Sequence, residues 1–488
     1  MTPPEPAHLH RLVADAAART PDALAVRDLT TALTYAGLDA CAGTYLAALR
    51  AHGVRPGDRV LVWTDKTADA VAVAQAVLRC GAIHVPVPRD NPRERVARIA
   101  ADARPALIVT DHTDQVPGTT CVPCADLRRG AAHLPQSAPH PARPSDPAYI
   151  LYTSGSTGVP KGVCVSHGGA LAFVDWACRE LALTPADRLA NHAAFSFDLS
   201  VFDLYAAFRA GASVHLVGAA LARAAQPLVD FLLESRITIW YSVPSVLVLM
   251  AEYGELLERG PGALRACVFA GEPFPLNPLK DLRRAWPAGV RMLNWYGPTE
   301  TNVCTSYEVT AADLTRTGPV PIGTPVAGNT VTLDGGEIVV DGPTVMLGYW
   351  GAPPHRGPYR TGDLGRYDPG GLLEYRGRTD DMAKVRGHRV EPAEITGVLA
   401  AHEAVRDAAV VVLGAGPDAR LHAFVVPETG RGPGYTELRR HCARHLPPYM
   451  AIDALHTVDA FPRTANGKVD RAALAGLLTV PATRGAGT

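Results

Sequence analysis

Residues 149–162 read YILYTSGSTGVPKG. An apolar, strand-like run ends in Thr153 and passes into Ser154, Gly155, Ser156, Thr157 and Gly158, with Lys161 three residues further on. Small residues let backbone amides come close to phosphate oxygens, and the hydroxyls and Lys161 add donors and positive charge. A plain Ser/Gly surface turn is the alternative. Four hydroxyl residues, two glycines and a lysine within residues 153–161 favour a phosphate-binding loop over it. The loop does not fit G-x-x-x-x-G-K-[ST], because Lys161 follows Val-Pro and precedes Gly162, so a P-loop NTPase is disfavoured.

Outward from this loop, apolar β-branched runs alternate with helical patterns. RVLVW (59–63) precedes the helical ADAVAVAQAVLRCG, and LIVT (107–110), VHLV (214–217) and ITIWY (237–241) repeat the strand pattern. Such alternation predicts βαβ units and mostly parallel sheets flanked by helices, an α/β fold. Between Thr330 and Tyr375 strand-like pieces follow one another with only Gly/Pro/Asp turns between them, which predicts antiparallel sheet or a small β-barrel-like part. A last α+β unit contains PAEITGVLAAH, AAVVVL, HAFVV and YTELRRHCARHL. At 488 residues the chain exceeds the ~250–300 at which one core stops growing, so at least two domains are expected. The boundary is placed in the charged stretch RGRTDD, giving a large domain over 1–379 and a small one over 380–488.

Composition narrows the function. Hydrophobic residues are 47% and charged residues 19%, a globular profile. Lys+Arg (47) against Asp+Glu (48) leaves a net charge of -1, which argues against a nucleic-acid binder. No long apolar span and no basic-then-apolar leader is found, so no membrane association and a cytoplasmic location are expected. Cys121 and Cys124 in CVPC lack a second pair at zinc-site spacing and read as a reduced loop.

YTSGSTGVPKG resembles the phosphate loop of the adenylate-forming superfamily of acyl- and aminoacyl-adenylating ligases. The likeness continues in order through LTYAGL (33–38), RCGAIHVPV (79–87), FSFDLS (195–200), NWYGPTETN (294–302), GEIVVDG (336–342), GYW (348–350), YRTGDLGR (359–366), GRTDDMAKVRGHRVEP (377–392), LPPYM (446–450) and NGKVDR (466–471). FDLS and GPTET look most like the amino-acid-activating enzymes of nonribosomal peptide assembly.

The resemblance implies ATP and Mg2+ as cofactors and an attack of a carboxylate on the α-phosphate. Catalysis would then be positioning and charge neutralisation. Lys161 and the loop hydroxyls would hold the β,γ-phosphates, Glu300 the magnesium ion, Tyr296 the adenine and Asp363 the ribose hydroxyls, with Arg378 beside them. Lys468, from the small domain, would bridge the carboxylate and the α-phosphate. For the transfer to a thiol, the family rotates a mobile small domain about a hinge at the position of Asp380. Taken alone, Asp380 reads equally as a linker aspartate, and His192 and His388 read as structural.

Asp198 resembles the aspartate that pairs with the substrate α-ammonium; a helix N-cap is its plainer reading. The other pocket positions carried over are Leu199, Phe202, Tyr241, Val268, Ala270, Trp295, Val303 and Cys304. The wall is apolar, which predicts a small uncharged side chain. The set is similar to prolyl-activating enzymes except at Phe202 and Trp295, where leucines are expected. Those rings remove volume, so L-alanine ranks narrowly above L-proline. The residues after Arg471 carry no serine, so the aminoacyl group is expected to go to the phosphopantetheine arm of a separate carrier protein in natural-product biosynthesis. An acyl-CoA ligase for a small acid, which needs no anion at Asp198, and a non-catalytic binding protein are the competing readings.

Overall fold

The computed structural model describes residues 8–479, apart from 113–115, 132, 136, 156–157, 381, 415–417, 429–431 and 464–468. The chain divides into two units. Met1–Arg89, Val96–Thr153 and Lys161–Asp380 form the first; Asp90–Arg95, Ser154–Pro160 and Asp381–Thr488 form the second.

In the first unit the apolar runs become buried strands. Arg59–Thr64, Ile83–Pro88, Leu107–Thr110 and Pro147–Thr153 belong to a seven-stranded sheet, the first three almost wholly buried, as parallel strands covered on both faces must be. The helix Ala68–Arg79 starts where two side chains satisfy its first amides. Thr67 accepts from Ala70 N at 3.1 Å, and Asp28 accepts from Ala68 N at 2.8 Å.

A nine-stranded sheet runs in the order Thr324–Pro325, Thr305–Glu308, Arg291–Tyr296, Ala266–Ala270, Ile239–Ser242, Arg188–Asn191, Ser213–Leu216, Leu24–Arg27 and Ala32–Thr34. Its six central strands are parallel and its edges antiparallel. Arg188–Asn191 lies between Ser213–Leu216 on one side and Ile239–Ser242 on the other. The chain order therefore diverges at this strand. Its carboxyl end is a topological switch point, where open α/β sheets bind ligands. Side chains from both sheets and from helices Tyr35–Ala51, Ala68–Arg79 and His167–Glu180 share one buried cluster.

The helix-free stretch forms an open four-stranded antiparallel sheet of Thr330–Asp334, Glu337–Asp341, Tyr359–Tyr367 and Leu373–Arg378. Of the two forms anticipated for it, sheet or barrel-like part, the open sheet is the one present.

The second unit holds the hairpin Ala383–Val385/His388–Val390, a three-stranded sheet and the helices Pro392–Ala400, Tyr435–His445 and Arg471–Thr479. Arg386 (φ 52°) and Gly387 (φ 78°) form the two-residue loop, the left-handed pair a tight hairpin requires. His388 stacks on Tyr449 at 3.9 Å between centroids. Among the described residues no helix is long and apolar enough to cross a membrane.

Candidate active site

The glycine-rich segment joins two antiparallel strands, Pro147–Thr153 and Lys161–Ser166, with Thr153 opposite Lys161. It does not run into a helix, as a Walker loop would. Gly158 has φ 80°, and a Cβ on Gly162 would come within 2.7 Å of the Ile150 side chain. Ser154, buried within the second unit, donates to the Arg389 carbonyl at 2.9 Å. Gly155 is buried beside it. Ser156, Thr157 and Lys468 lie outside the described residues.

Lys161 and Glu300 are brought together by a residue that sequence reasoning did not assign. Tyr349 pairs beside the Lys161 strand; its ring centroid is 5.5 Å from Lys161 Nζ, and its hydroxyl donates to Glu300 Oε1 at 2.8 Å. The Tyr359 hydroxyl is 3.3 Å from that of Tyr349. GYW (348–350) is one of the resembling motifs, but nothing in it says that its tyrosine reaches Glu300. Glu300 itself is only 1% exposed. A buried carboxylate offers oxygen ligands of the kind a hard divalent cation takes, and the nearby lysine suits the phosphates such a cation would accompany.

A second polar chain begins at the end of strand Arg291–Tyr296. Tyr296 donates to Asp363 Oδ2 at 2.7 Å, while Arg378 donates to Asp363 Oδ1 and to the Thr361 carbonyl at 3.2 Å. Arg378 also grips Asp380 through two bonds of 2.6 and 2.8 Å. Asp363 is 2% exposed. Burial, reinforced by the Asp363 charge, pushes the Tyr296 phenol well above its ordinary pKa, so it stays a neutral donor. Burial works against the Arg378 charge, and Asp380 and Asp363 outweigh it, so its pKa rises. Gly297 follows directly, and a Cβ there would lie 1.6 Å from the Asn302 carbonyl oxygen, so only glycine lets the two backbone segments pass.

The third group gathers at the carboxyl ends of the central strands. Leu199, Phe202, Tyr241, Val268, Ala270, Trp295 and Val303 are buried in one apolar cluster. Cys304 belongs to a neighbouring cluster with Tyr296. Burial lifts the Cys304 thiol to about 12, so it is uncharged at neutral pH. Tyr241 lies beside Val268, and Ala270 beside Trp295, through the strand register. Phe202, Tyr241 and Trp295 meet edge to face at 5.3–5.5 Å. Trp295 is further backed by Trp176 at 4.9 Å and Phe173 at 6.0 Å, two rings of helix His167–Glu180 that local motif matching did not single out. Asp198 occupies the N-cap position of the short helix Leu199–Val201 but makes no side-chain capping hydrogen bond there. Its charge reaches the phenols of Tyr149 and Tyr241, both held well above their ordinary pKa chiefly by burial.

Residues 13–350 match the family model of the AMP-binding enzyme, and residues 394–468 that of the AMP-binding enzyme C-terminal domain. The chain belongs to the AMP-binding enzyme family. An L-proline--[L-prolyl-carrier protein] ligase of Pseudomonas fluorescens is 47% identical, with 96% of this chain and 98% of that protein covered. A ligase of the same name from Streptomyces coelicolor is 40% identical over 90% of this chain and 91% of its own. Among solved structures, a double mutant of o-succinylbenzoate CoA synthetase from Bacillus subtilis shares the fold at TM-score 0.86 and 23% identity, covering 95% of this chain and 98% of that one.

Proposed function

We propose that this protein uses ATP to convert L-proline to prolyl-AMP and then transfers the prolyl group to the phosphopantetheine thiol of a carrier protein, in the cytoplasm, for natural-product assembly. The observation that carries the substrate is the 47% identity, along nearly the whole of both chains, to a ligase named for L-proline. L-Alanine, favoured by the aromatic wall, gains no such support. Counting Phe202 and Trp295 as lost volume treats their bulk as intruding on the ligand. Much of that bulk is instead taken up by the packing of Phe202 on Tyr241 and Trp295, and of Trp295 on Trp176 and Phe173.

In the first half-reaction a proline carboxylate oxygen bonds to the α-phosphorus, and the bond to the bridging oxygen breaks with its electron pair leaving on pyrophosphate. Asp198 holds the substrate ammonium. Lys161 holds the departing phosphates. Tyr296 offers its ring to adenine, and the spare lone pairs of Asp363 take the ribose hydroxyls, Arg378 holding that carboxylate in place. Glu300 would hold a magnesium ion, which would supply charge neutralisation on the phosphates. Tyr349 fixes the Glu300 carboxylate. Lys468 is assigned to the carboxylate and α-phosphate. In the second half-reaction a thiolate sulfur bonds to the acyl carbon and AMP leaves. That step needs the small domain, 380–488, to turn against 1–379 at Asp380, whose side chain Arg378 holds.

Pyrophosphate exchange across the twenty amino acids is the test. Exchange led by L-proline is the expected result. Exchange led by alanine would overturn the substrate, and exchange with none would overturn the reaction.

A further inference from the structure

Lys66 sits between strand Arg59–Thr64 and helix Ala68–Arg79, far in sequence from every residue assigned above. Its Nζ donates to three consecutive carbonyls, those of Asn191 at 2.8 Å, His192 at 2.8 Å and Ala193 at 3.1 Å. An ammonium has three donors, and all three are used on one stretch of backbone. That stretch is the carboxyl end of Arg188–Asn191, the switch-point strand, where the chain leaves the sheet on its way to Asp198.

The same stretch is held from other sides. Asn191 Nδ2 donates to Asp203 Oδ2 at 2.9 Å, and both residues are fully buried. Asp203 lies in the π-helical turn Phe202–Ala206, next to the pocket ring Phe202; π-turns concentrate at functional sites. The His192 ring is 3.1 Å from the Ala222 carbonyl, and Ser200 Oγ bonds the carbonyls of Phe195 and Phe197 at 3.2 and 2.7 Å. Residues 192–198 are therefore tied down at the start by Lys66 and at the finish by Ser200. Burial lowers the Lys66 pKa to about 7, and the nearby Asp203 offsets only part of that fall.

We infer that Lys66, braced by Asn191 and Asp203, is a positioning residue for the amino-acid substrate, acting through the 191–193 backbone to set where Asp198 meets the substrate ammonium. The inference rests on the reading of Asp198 as the ammonium's partner. Lys66 does not touch substrate. Without its ammonium, the His192 and Ala193 carbonyls lose the donor described for them and the Asn191 carbonyl keeps the Val217 amide at 3.0 Å, while the residues assigned to the nucleotide keep every contact described for them.

The experiment is steady-state pyrophosphate exchange with Lys66→Met, varying L-proline and ATP separately, beside a thermal melt of each protein. The expected result is a rise in the L-proline KM of about tenfold or more, with the ATP KM within about twofold of the parent. An unchanged L-proline KM, or equal rises in both KM values, would overturn the inference. Should Lys66→Met fail to fold, Asp203→Asn carries the same split at about threefold, and no split in that variant overturns the inference equally. A parent enzyme that exchanges pyrophosphate with no amino acid sinks the proposed function and this inference with it. A proline-dependent parent whose variants show no split sinks this inference alone.

Discussion

The residues assigned to the nucleotide and those assigned to the amino acid are built on opposite plans. Around Asp363, polar groups satisfy one another: Tyr296 takes one carboxylate oxygen, Arg378 the other, and Asp380 the rest of the guanidinium. Around Trp295, five aromatic rings touch edge to face or tilted, and the charge is concentrated in Asp198. The first plan fixes a ligand of constant structure by directed bonds. The second is shaped by packing and can change its occupant by exchanging one ring. A hydrogen-bonded site loses much when one partner goes, whereas a methylene more or less in an apolar pocket shifts selectivity by only ~1–3 kcal/mol.

The comparison can be broken most directly at Asp198. Asp198→Ala is expected to lower kcat/KM for L-proline by about 10²–10⁴, since removing one partner of a charge pair buried by the bound substrate costs ~3–5 kcal/mol, with the ATP KM little changed. Exchange kinetics measure both, and an unaltered proline kcat/KM would return Asp198 to a structural role. On the polar side, Asp363→Ala is expected to raise the ATP KM by about tenfold to a hundredfold and to leave the proline KM near its parent value; equal effects on both substrates would merge the two sites that are contrasted here.

Tyr349→Phe removes one hydroxyl from Glu300, and a fall in kcat of about tenfold is expected, matching ~1.4 kcal/mol for a hydrogen bond to a charged group. Titrating magnesium in the exchange assay sharpens this, because a loosened Glu300 should demand more metal for half-maximal rate. The smallest change is Trp295→Leu. The ratio of kcat/KM for a six-membered cyclic imino acid over L-proline is expected to rise about threefold to tenfold. A constant ratio would mean that Trp295 packs against its neighbours without bounding the ligand.

The motif residues were legible for a physical reason. Gly297 must be glycine because the Asn302 carbonyl occupies the space of a Cβ, and such backbone crossings leave sequence marks. The alternating apolar runs announced the parallel sheets because strands covered on both faces have no polar side to show. Lys66 and Tyr349 left no comparable mark. Lys66 belongs to no motif and GYW names no partner for its tyrosine, and their partners lie 125–127 and 49 residues away in sequence. The ranking of alanine over proline, which gains no support from relatives named for L-proline, rested on the same kind of reading. Residue volumes can be added from sequence, but where a ring such as Trp295 spends its volume is set by Trp176 and Phe173 on another element.

What the amino-acid order alone determined was the family and the residue types its chemistry calls on: a Ser/Thr/Gly loop ending in a lysine, an ordered set of motifs and an aspartate before an apolar wall. These depend on residue types at short spacing, and short spacing survives any fold. Only the tertiary structure decided how the carboxylates are held and what shapes the pocket. Those are matters of directed bonds and close packing between strands and helices distant in sequence, which exist only once the sheets have formed.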